Sequence, residues 1–269
     1  MATLGAPPPS MRVLHIDDDP DYLAVTKIYC ESFDPEMEVV SSVSPLESLS
    51  LIEGMQFDCI VSDYAMPEMD GIELCRRLRE TRRVPFILHT ERGSEEVASI
   101  AFEAGVDDYI RKDSGRSQYQ VLAKRVRQVV EKDRVERLYR DVLESSRDGI
   151  IIVQGTRIVY ANQAVADIVG VSSPDELLGT DAIDIAEEKE KNRLLSIALG
   201  RQKGESLPSH YEVSHRRPDG EILVVDVSSS LIDYMGKPAS LAILRDVSRA
   251  RRCNRCHLPG KSSTRRIQQ

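Results

Sequence analysis

Cysteine is scarce and odd in number, at positions 30, 59, 75, 253 and 256 of 269 residues. Cys30, Cys59 and Cys75 fall inside apolar segments, where a free thiol behaves as a small hydrophobe, so a disulfide framework is not expected. No apolar run approaches the roughly 20 residues that a membrane span needs, which argues against a membrane partner. The opening "MATLGAPPPSMRVLHI" lacks a charged-then-apolar signal layout, and the expected location is cytoplasmic. A basic excess is also missing from the body of the chain. Residues 249–269 hold seven Arg or Lys and no acid, so of the net charge of −8 the preceding 248 residues carry −15. An acidic body with a basic tail is not the footprint of a nucleic-acid-binding domain.

What is present suits two globular domains, because the length can bury two cores and 41% hydrophobic content against 30% charged is that of a soluble protein. From Arg12, short apolar runs at Val13–Ile16, Met37–Val40, Phe57–Val61, Pro85–Leu88 and Asp108–Ile110 alternate with amphipathic segments of helical length. That alternation predicts five βα units and a parallel sheet covered on both faces. No Gly or Pro occurs from Ser117 to Arg147. Apolar residues recur there at Val121, Leu122, Val126, Val129, Val130, Val135, Leu138 and Val142, which predicts a long helix with a break near Lys132–Arg134. Beyond Gly149 the texture becomes strands at both ends ("GIIIV", "RIVYA", "HYEVSHRR", "EILVVDVSSSLI", "ASLAILRDVS") with helices between, and a hairpin is expected at Pro218-Asp219-Gly220. This is an α+β domain on an antiparallel sheet. The tail beyond Arg249 has no apolar period and is expected to be disordered.

Residues at the carboxyl ends of parallel strands share an edge where sites form. Asp17, Asp18 and Asp19 follow the first expected strand, Asp63 the third, Thr90 the fourth and Lys112 the fifth. In the strand order 2-1-3-4-5 the acids converge on one crevice. Their mutual repulsion calls for a cation, and an all-oxygen set suits Mg²⁺. A carboxylate nucleophile, a metal and a lysine are the parts of phosphoryl transfer to an acid. Read singly, each acid could instead begin a helix, as Asp does at N-caps, and Asp19 is read that way.

"VLHIDDDP", "CIVSDYAMPEMDG", "FILHT" and "DYIRK" occur in the order and spacing of the receiver domain of two-component response regulators, which residues 11–130 resemble. The resemblance implies a flavodoxin-like α/β fold with Asp63 as phosphoacceptor and Asp17 and Asp18 as the acid pocket for Mg²⁺. It further implies that the metal takes the backbone carbonyl of Ala65, that Thr90 and Lys112 contact the phosphoryl group, and that Thr90 and Tyr109 form the switch. The implied partner is a sensor histidine kinase. Two positions depart from the family pattern: Asp113 replaces the usual proline, so the bond after Lys112 is expected to be trans. Glu91 follows the threonine and sets another negative side chain beside the site, against a phosphodonor or an attacking water.

Residues 138–248 resemble a PAS domain, from "YRDVLESSRDGIIIVQGTRIVYANQAVADIVG" to "LAILRDVS". Such domains sense, dimerise or relay, and some hold haem, flavin or metabolites. No cysteine lies between 76 and 252 for flavin adduct chemistry, and His210 and His215, five apart in one strand, face opposite ways as ordinary strand histidines. No PAS ligand is assigned, and the pocket could be a packed core. Cys253-Asn254-Arg255-Cys256-His257 spells a haem c attachment pattern inside a basic tail without an export signal, and it is one ligand short for zinc. The expected organisation is a tail at 1–10, the receiver at 11–130, a helical linker at 131–147, the PAS domain at 138–248 and the basic tail at 249–269. The expected function is a phosphorelay protein whose Asp63 state passes through the linker helix. A homodimer through that helix and the PAS domain is expected, because an apolar helix seam seeks a partner. The alternatives are an abbreviated sensor histidine kinase or a phosphorylation-independent docking module. Against an intact kinase there is no Gly-rich ATP lid, and against a transcription factor no helix-turn-helix follows the receiver.

Overall fold

The structure is a computed structural model that describes residues 11–91, 95–202 and 208–248. The chain divides into two compact units, residues 1–138 and 139–269.

The first unit alternates β1 (Met11–Ile16), α1 (Pro20–Phe33), β2 (Met37–Ser42), α2 (Pro45–Gly54), β3 (Cys59–Ser62), α3 (Gly71–Thr81), β4 (Phe86–Thr90), α4 (Glu95–Glu103), β5 (Asp108–Arg111) and α5 (Ser117–Ser145). The five strands form a parallel sheet in the order β2-β1-β3-β4-β5, as the sequence pattern predicts. Strands β3 and β4 are buried at every position, which is why they read as continuous apolar runs rather than alternating ones. One core lies on the face of Leu14, Ile16, Ile60, Phe86 and Leu88; the other holds Val13, Val61 and Ile87 against Leu122 and Val126 of α5. Cys30, Cys59 and Cys75 are buried free thiols, and burial pushes the Cys75 thiol up to about 11.

Local signals fix the ends facing the strand edge. Asp19 caps α1 by accepting from the N–H groups of Asp21 and Tyr22, with Pro20 at the first helical position. Asp70 caps α3 through the N–H of Glu73. Gly71 follows because a Cβ there would lie 2.2 Å from the Asp63 carbonyl oxygen and 2.7 Å from Leu88 Cδ1. The helix start can therefore sit against the end of β3 only if the residue has no side chain.

The expected break near Lys132–Arg134 is absent, and α5 runs unbroken over 29 residues. Its apolar stripe divides instead. Tyr119, Leu122, Ala123, Val126 and Val130 are buried, whereas Val135, Leu138, Tyr139 and Val142 are exposed.

The second unit holds β6 (Gly149–Gln154), β7 (Arg157–Ala161), α6 (Gln163–Val169), a short 3-10 turn at Pro174–Glu176, α7 (Glu188–Gln202), β8 (His210–Arg216), β9 (Ile222–Tyr234) and β10 (Lys237–Asp246). Its sheet is antiparallel, ordered β7-β6-β10-β9-β8. Gly170 ends α6 with φ 89°, and Gly220 in the β8–β9 turn has φ 89°, conformations that glycine adopts without a Cβ penalty. A second hairpin, not expected from the sequence, joins β9 and β10 through Met235 (φ 54°) and Gly236 (φ 75°). Positive φ at both central residues matches the right-handed strand twist. The tail expected at 1–10, the disorder expected at 249–269, and the Cys253, Cys256 and His257 motif lie outside the described residues.

Candidate functional site

The acid edge of the first unit follows from strand register. Asp63 sits one residue beyond β3, its N–H donating to the Ile16 carbonyl at 2.8 Å, and Asp17 one residue beyond β1, its N–H donating to Ser42 O at 3.2 Å. Backbone bonding thus holds both carboxylates on neighbouring strands. Carboxylate oxygens of Asp17, Asp18 and Asp63 lie within 4.8 Å of one another; Asp17 and Asp63 are buried, and Asp18 is exposed. Lys112 N–H donates to Thr90 O at 2.9 Å, which extends the β4–β5 pairing far enough to aim the lysine back across the edge. Its Nζ donates to Asp17 Oδ2 at 2.6 Å and stands 3.3 Å from Asp63 Oδ1. The bond after Lys112 is trans, as expected, because the described residues contain no cis peptide.

Charge and burial oppose each other here. Burial pushes the Asp17 carboxyl up from its ordinary range against the pull of Lys112, with Asp63 adding repulsion. Burial pulls on the Lys112 ammonium too, but Asp17 and Asp63 outweigh it and hold the lysine above its usual value. An all-oxygen pocket with more carboxylates than cations fits a hard divalent ion such as Mg²⁺. Asp63 Oδ1, buried and with Lys112 Nζ at 3.3 Å, is a ready donor for one.

A cavity of about 290 Å³ collects Asp17, Asp18, Asp63, Ala65, Thr90 and Lys112, together with Asp19, Tyr22 and Glu91. Tyr109 does not line it. Its ring packs against the core on the Leu88 side, with a buried hydroxyl lacking a hydrogen-bond partner. Burial raises that phenol.

Three features escaped the sequence reading. Tyr22 lies under Lys112, with Nζ 4.5 Å from the ring centroid, a cation–π contact that only the fold creates. His15 and His89, each 1% exposed, stand beside Tyr22 with ring centroids 6.4 Å apart. Nothing in the sequence pairs them except their place, two residues before Asp17 and one before Thr90. In the second unit, Asn162 is fully buried and fully satisfied. Its Oδ1 accepts from Ile150 N–H at 2.8 Å and Val165 N–H at 3.2 Å, and its Nδ2 donates to Leu143 O at 2.9 Å and Asp148 O at 3.2 Å. One side chain thereby joins the last turns of α5 to β6 and α6. His210 is exposed and pairs with Asp226, whereas His215 is buried, so the two face opposite ways as expected.

With this geometry in place, comparison with known proteins decides the family. The response regulator receiver domain matches residues 13–126, and a PAS domain matches residues 147–249. The chain carries a receiver domain followed by a PAS domain. Over 105 residues it is 36% identical to the cyclic di-GMP phosphodiesterase response regulator RpfG of Xanthomonas campestris, covering 38% of this chain and 28% of that protein. Over 102 residues it is 34% identical to the uncharacterized transcriptional regulatory protein YclJ of Bacillus subtilis, covering 38% of this chain and 44% of that one. The chain thus spans less than half the length of these relatives. Among solved structures it is similar to a receiver domain protein of Methanospirillum hungatei, with 28% identity, 47% of this chain and 98% of that chain covered, and a TM-score of 0.43. Receiver domains are the phosphorylated partners of histidine kinases in two-component signal transduction and bind Mg²⁺ at an acidic site, and the Asp17, Asp18 and Asp63 cluster could hold such an ion. No described helix is long and apolar enough to cross a membrane.

Proposed function

We propose that the protein is a cytoplasmic phosphorelay component in which a sensor histidine kinase phosphorylates Asp63 and the state passes through α5 to the PAS domain or a partner. The observation that carries this reading is the buried Asp63 carboxylate held by strand register beside Asp17, Asp18 and Lys112. Mg²⁺, when bound by Asp17, Asp18 and Asp63 with the backbone carbonyl of Ala65, supplies positive charge for phosphoryl oxygens. An Asp63 oxygen forms the new bond to phosphorus as the P–N bond of the phosphohistidine breaks, and the electron pair leaves on the imidazole nitrogen. Lys112 exchanges its contact with Asp63 for a phosphoryl oxygen while keeping Asp17, and the Thr90 hydroxyl takes another. Thr90 and Tyr109 are the switch: the Tyr109 hydroxyl, without a hydrogen bond in the core, has an incentive to move when Thr90 is drawn towards the phosphoryl group. A second copy of the chain covers the exposed Val135, Leu138 and Val142 seam of α5, whose spacing of three and four residues is that of a coiled-coil stripe.

The test is intact mass after incubation with Mg²⁺ and acetyl phosphate, with Asp63→Asn alongside. One added phosphoryl mass in the wild type alone supports the reading. No adduct with acetyl phosphate or with a cognate kinase, in a folded protein, overturns it in favour of a docking module that never takes phosphate.

A further inference from the structure

The PAS sheet contains two serines where its pattern calls for apolar residues. Antiparallel pairing sets Ser229 of β9 opposite Ala242 of β10 and Ser240 opposite Leu231, so strand alternation places both serines on the face that carries Val225, Val227 and Ala242. That face is the core. Each serine is only 7% exposed, and neither hydroxyl oxygen has a hydrogen-bond partner within the protein. Buried hydroxyls are normally bonded, and two orphans at diagonal positions of one strand pair are unusual.

Both serines open into one cavity of about 140 Å³ between the sheet and helices α6 and α7. The walls are otherwise mainly aliphatic, with Val165, Leu194 and Val227 among them, and no Asp, Glu, Lys or Arg lines the space. His215 reaches it but is already engaged. Its Nε2 lies 3.0 Å from Val169 O and its Nδ1 beside Ile185 O, so both nitrogens face backbone carbonyls, and a neutral ring donates to one of them. Neither ring nitrogen is free to ligate a metal or haem. An anion or cation would lose its hydration without meeting a counter-charge. Size sets a further limit, since an engineered apolar cavity of about 150 Å³ stays dry and admits benzene. Two hydroxyls can each donate and accept, which suits one polar substituent at the sheet side of the space.

We infer that the PAS cavity binds a small neutral compound of the phenol class, with a body about the size of one aromatic ring and a single hydrogen-bonding substituent held by Ser229 and Ser240. The site lies in the second unit, and the inference does not rest on phosphorylation of Asp63. Water alone is a poorer occupant, because beyond the serine pair the walls offer it few partners.

The test is titration of the full chain with phenol, toluene and benzoate, followed by NMR of the isoleucine, leucine and valine methyl groups. Phenol is expected to shift the Leu194 and Val227 methyls saturably, toluene to bind at least tenfold more weakly, and benzoate to leave them unmoved. In the double variant Ser229→Ala, Ser240→Ala, phenol affinity should fall to that of toluene while toluene binding persists, which also shows that the variant is folded. Failure of phenol to move these methyls, equal affinity for phenol and toluene in the wild type, or benzoate binding as tightly as phenol each overturns the inference. The phenol-to-toluene ratio in the wild type decides the matter even if the variant does not fold.

Discussion

His15 and His89 should make the receiver acid-labile between pH 7.5 and pH 5. Burial holds both rings well below the ordinary histidine value, His89 at about 3, with Lys112 adding repulsion to each and His89 adding it to His15. Their four ring nitrogens are without hydrogen-bond partners, so the folded state offers no compensation for a proton. Between pH 7.5 and pH 5 the folded protein therefore leaves both rings neutral, while the unfolded chain, with ordinary values near 6.5, takes up two protons. Protons bound only by the unfolded state favour unfolding, so stability is full above about pH 7 and falls on acidification. The loss is about 2 kcal/mol per histidine by pH 5, or about 4 kcal/mol for the pair, from about 1.4 kcal/mol per pH unit per proton. Urea unfolding followed by far-UV circular dichroism, compared between the wild type and His15→Leu, His89→Leu, isolates this contribution. The stability gap in favour of the variant should widen by about 4 kcal/mol from pH 7.5 to pH 5. A gap that stays constant within about 1 kcal/mol would refute the reasoning and mean that the folded receiver protonates these rings.

Gly71→Ala should destabilise the receiver by about 1–3 kcal/mol or more, since its Cβ would overlap the Asp63 carbonyl, and thermal unfolding reads the loss. Lys112→Met should cost about 3–5 kcal/mol at pH 7.5 in metal-free urea unfolding by leaving Asp17 and Asp63 without their cation. Saturating Mg²⁺ should return part of that loss, and an unchanged deficit with the metal would show that the pocket does not take it. Asn162→Ala strips acceptors from the N–H groups of Ile150 and Val165, and its expected cost is about 2–4 kcal/mol, visible as early exchange of the Ile150 amide. The exposed Arg245 holds the Asp148 carboxyl below its ordinary 3.8, so that pair stabilises the PAS domain above pH 3.8 and is lost as pH falls through the depressed value. Arg245→Ala should therefore lower thermal stability only slightly at pH 7, an effect that salt screens and that shrinks as pH falls below 3.8.

Phe57–Val61 and Pro85–Leu88 announced central parallel strands because both faces of such strands are covered, and Asp19 announced a cap because its neighbours were Pro and a helical segment. Once strand ends were placed, Asp17, Asp18, Asp63, Thr90 and Lys112 fell on one edge, since backbone register moves side chains together regardless of sequence distance. The stripe along α5 was visible too, but periodicity cannot say where packing stops. Val130 and Val135 look alike in sequence, yet one is buried and the other is exposed.

Tertiary packing alone decided the rest. Tyr22 under Lys112, the His15–His89 pair and the four bonds of Asn162 join residues from separate elements, and no local propensity encodes such meetings. Ser229 and Ser240 are polar residues in an apolar strand pattern, but only the closed sheet and its helices turned them into two unpartnered hydroxyls on a mainly apolar space. The sequence by itself determined which residues could reach an edge or a core, because period and register are local properties of the backbone. Which polar groups would find partners there, and which would be left without, depended on how the elements packed.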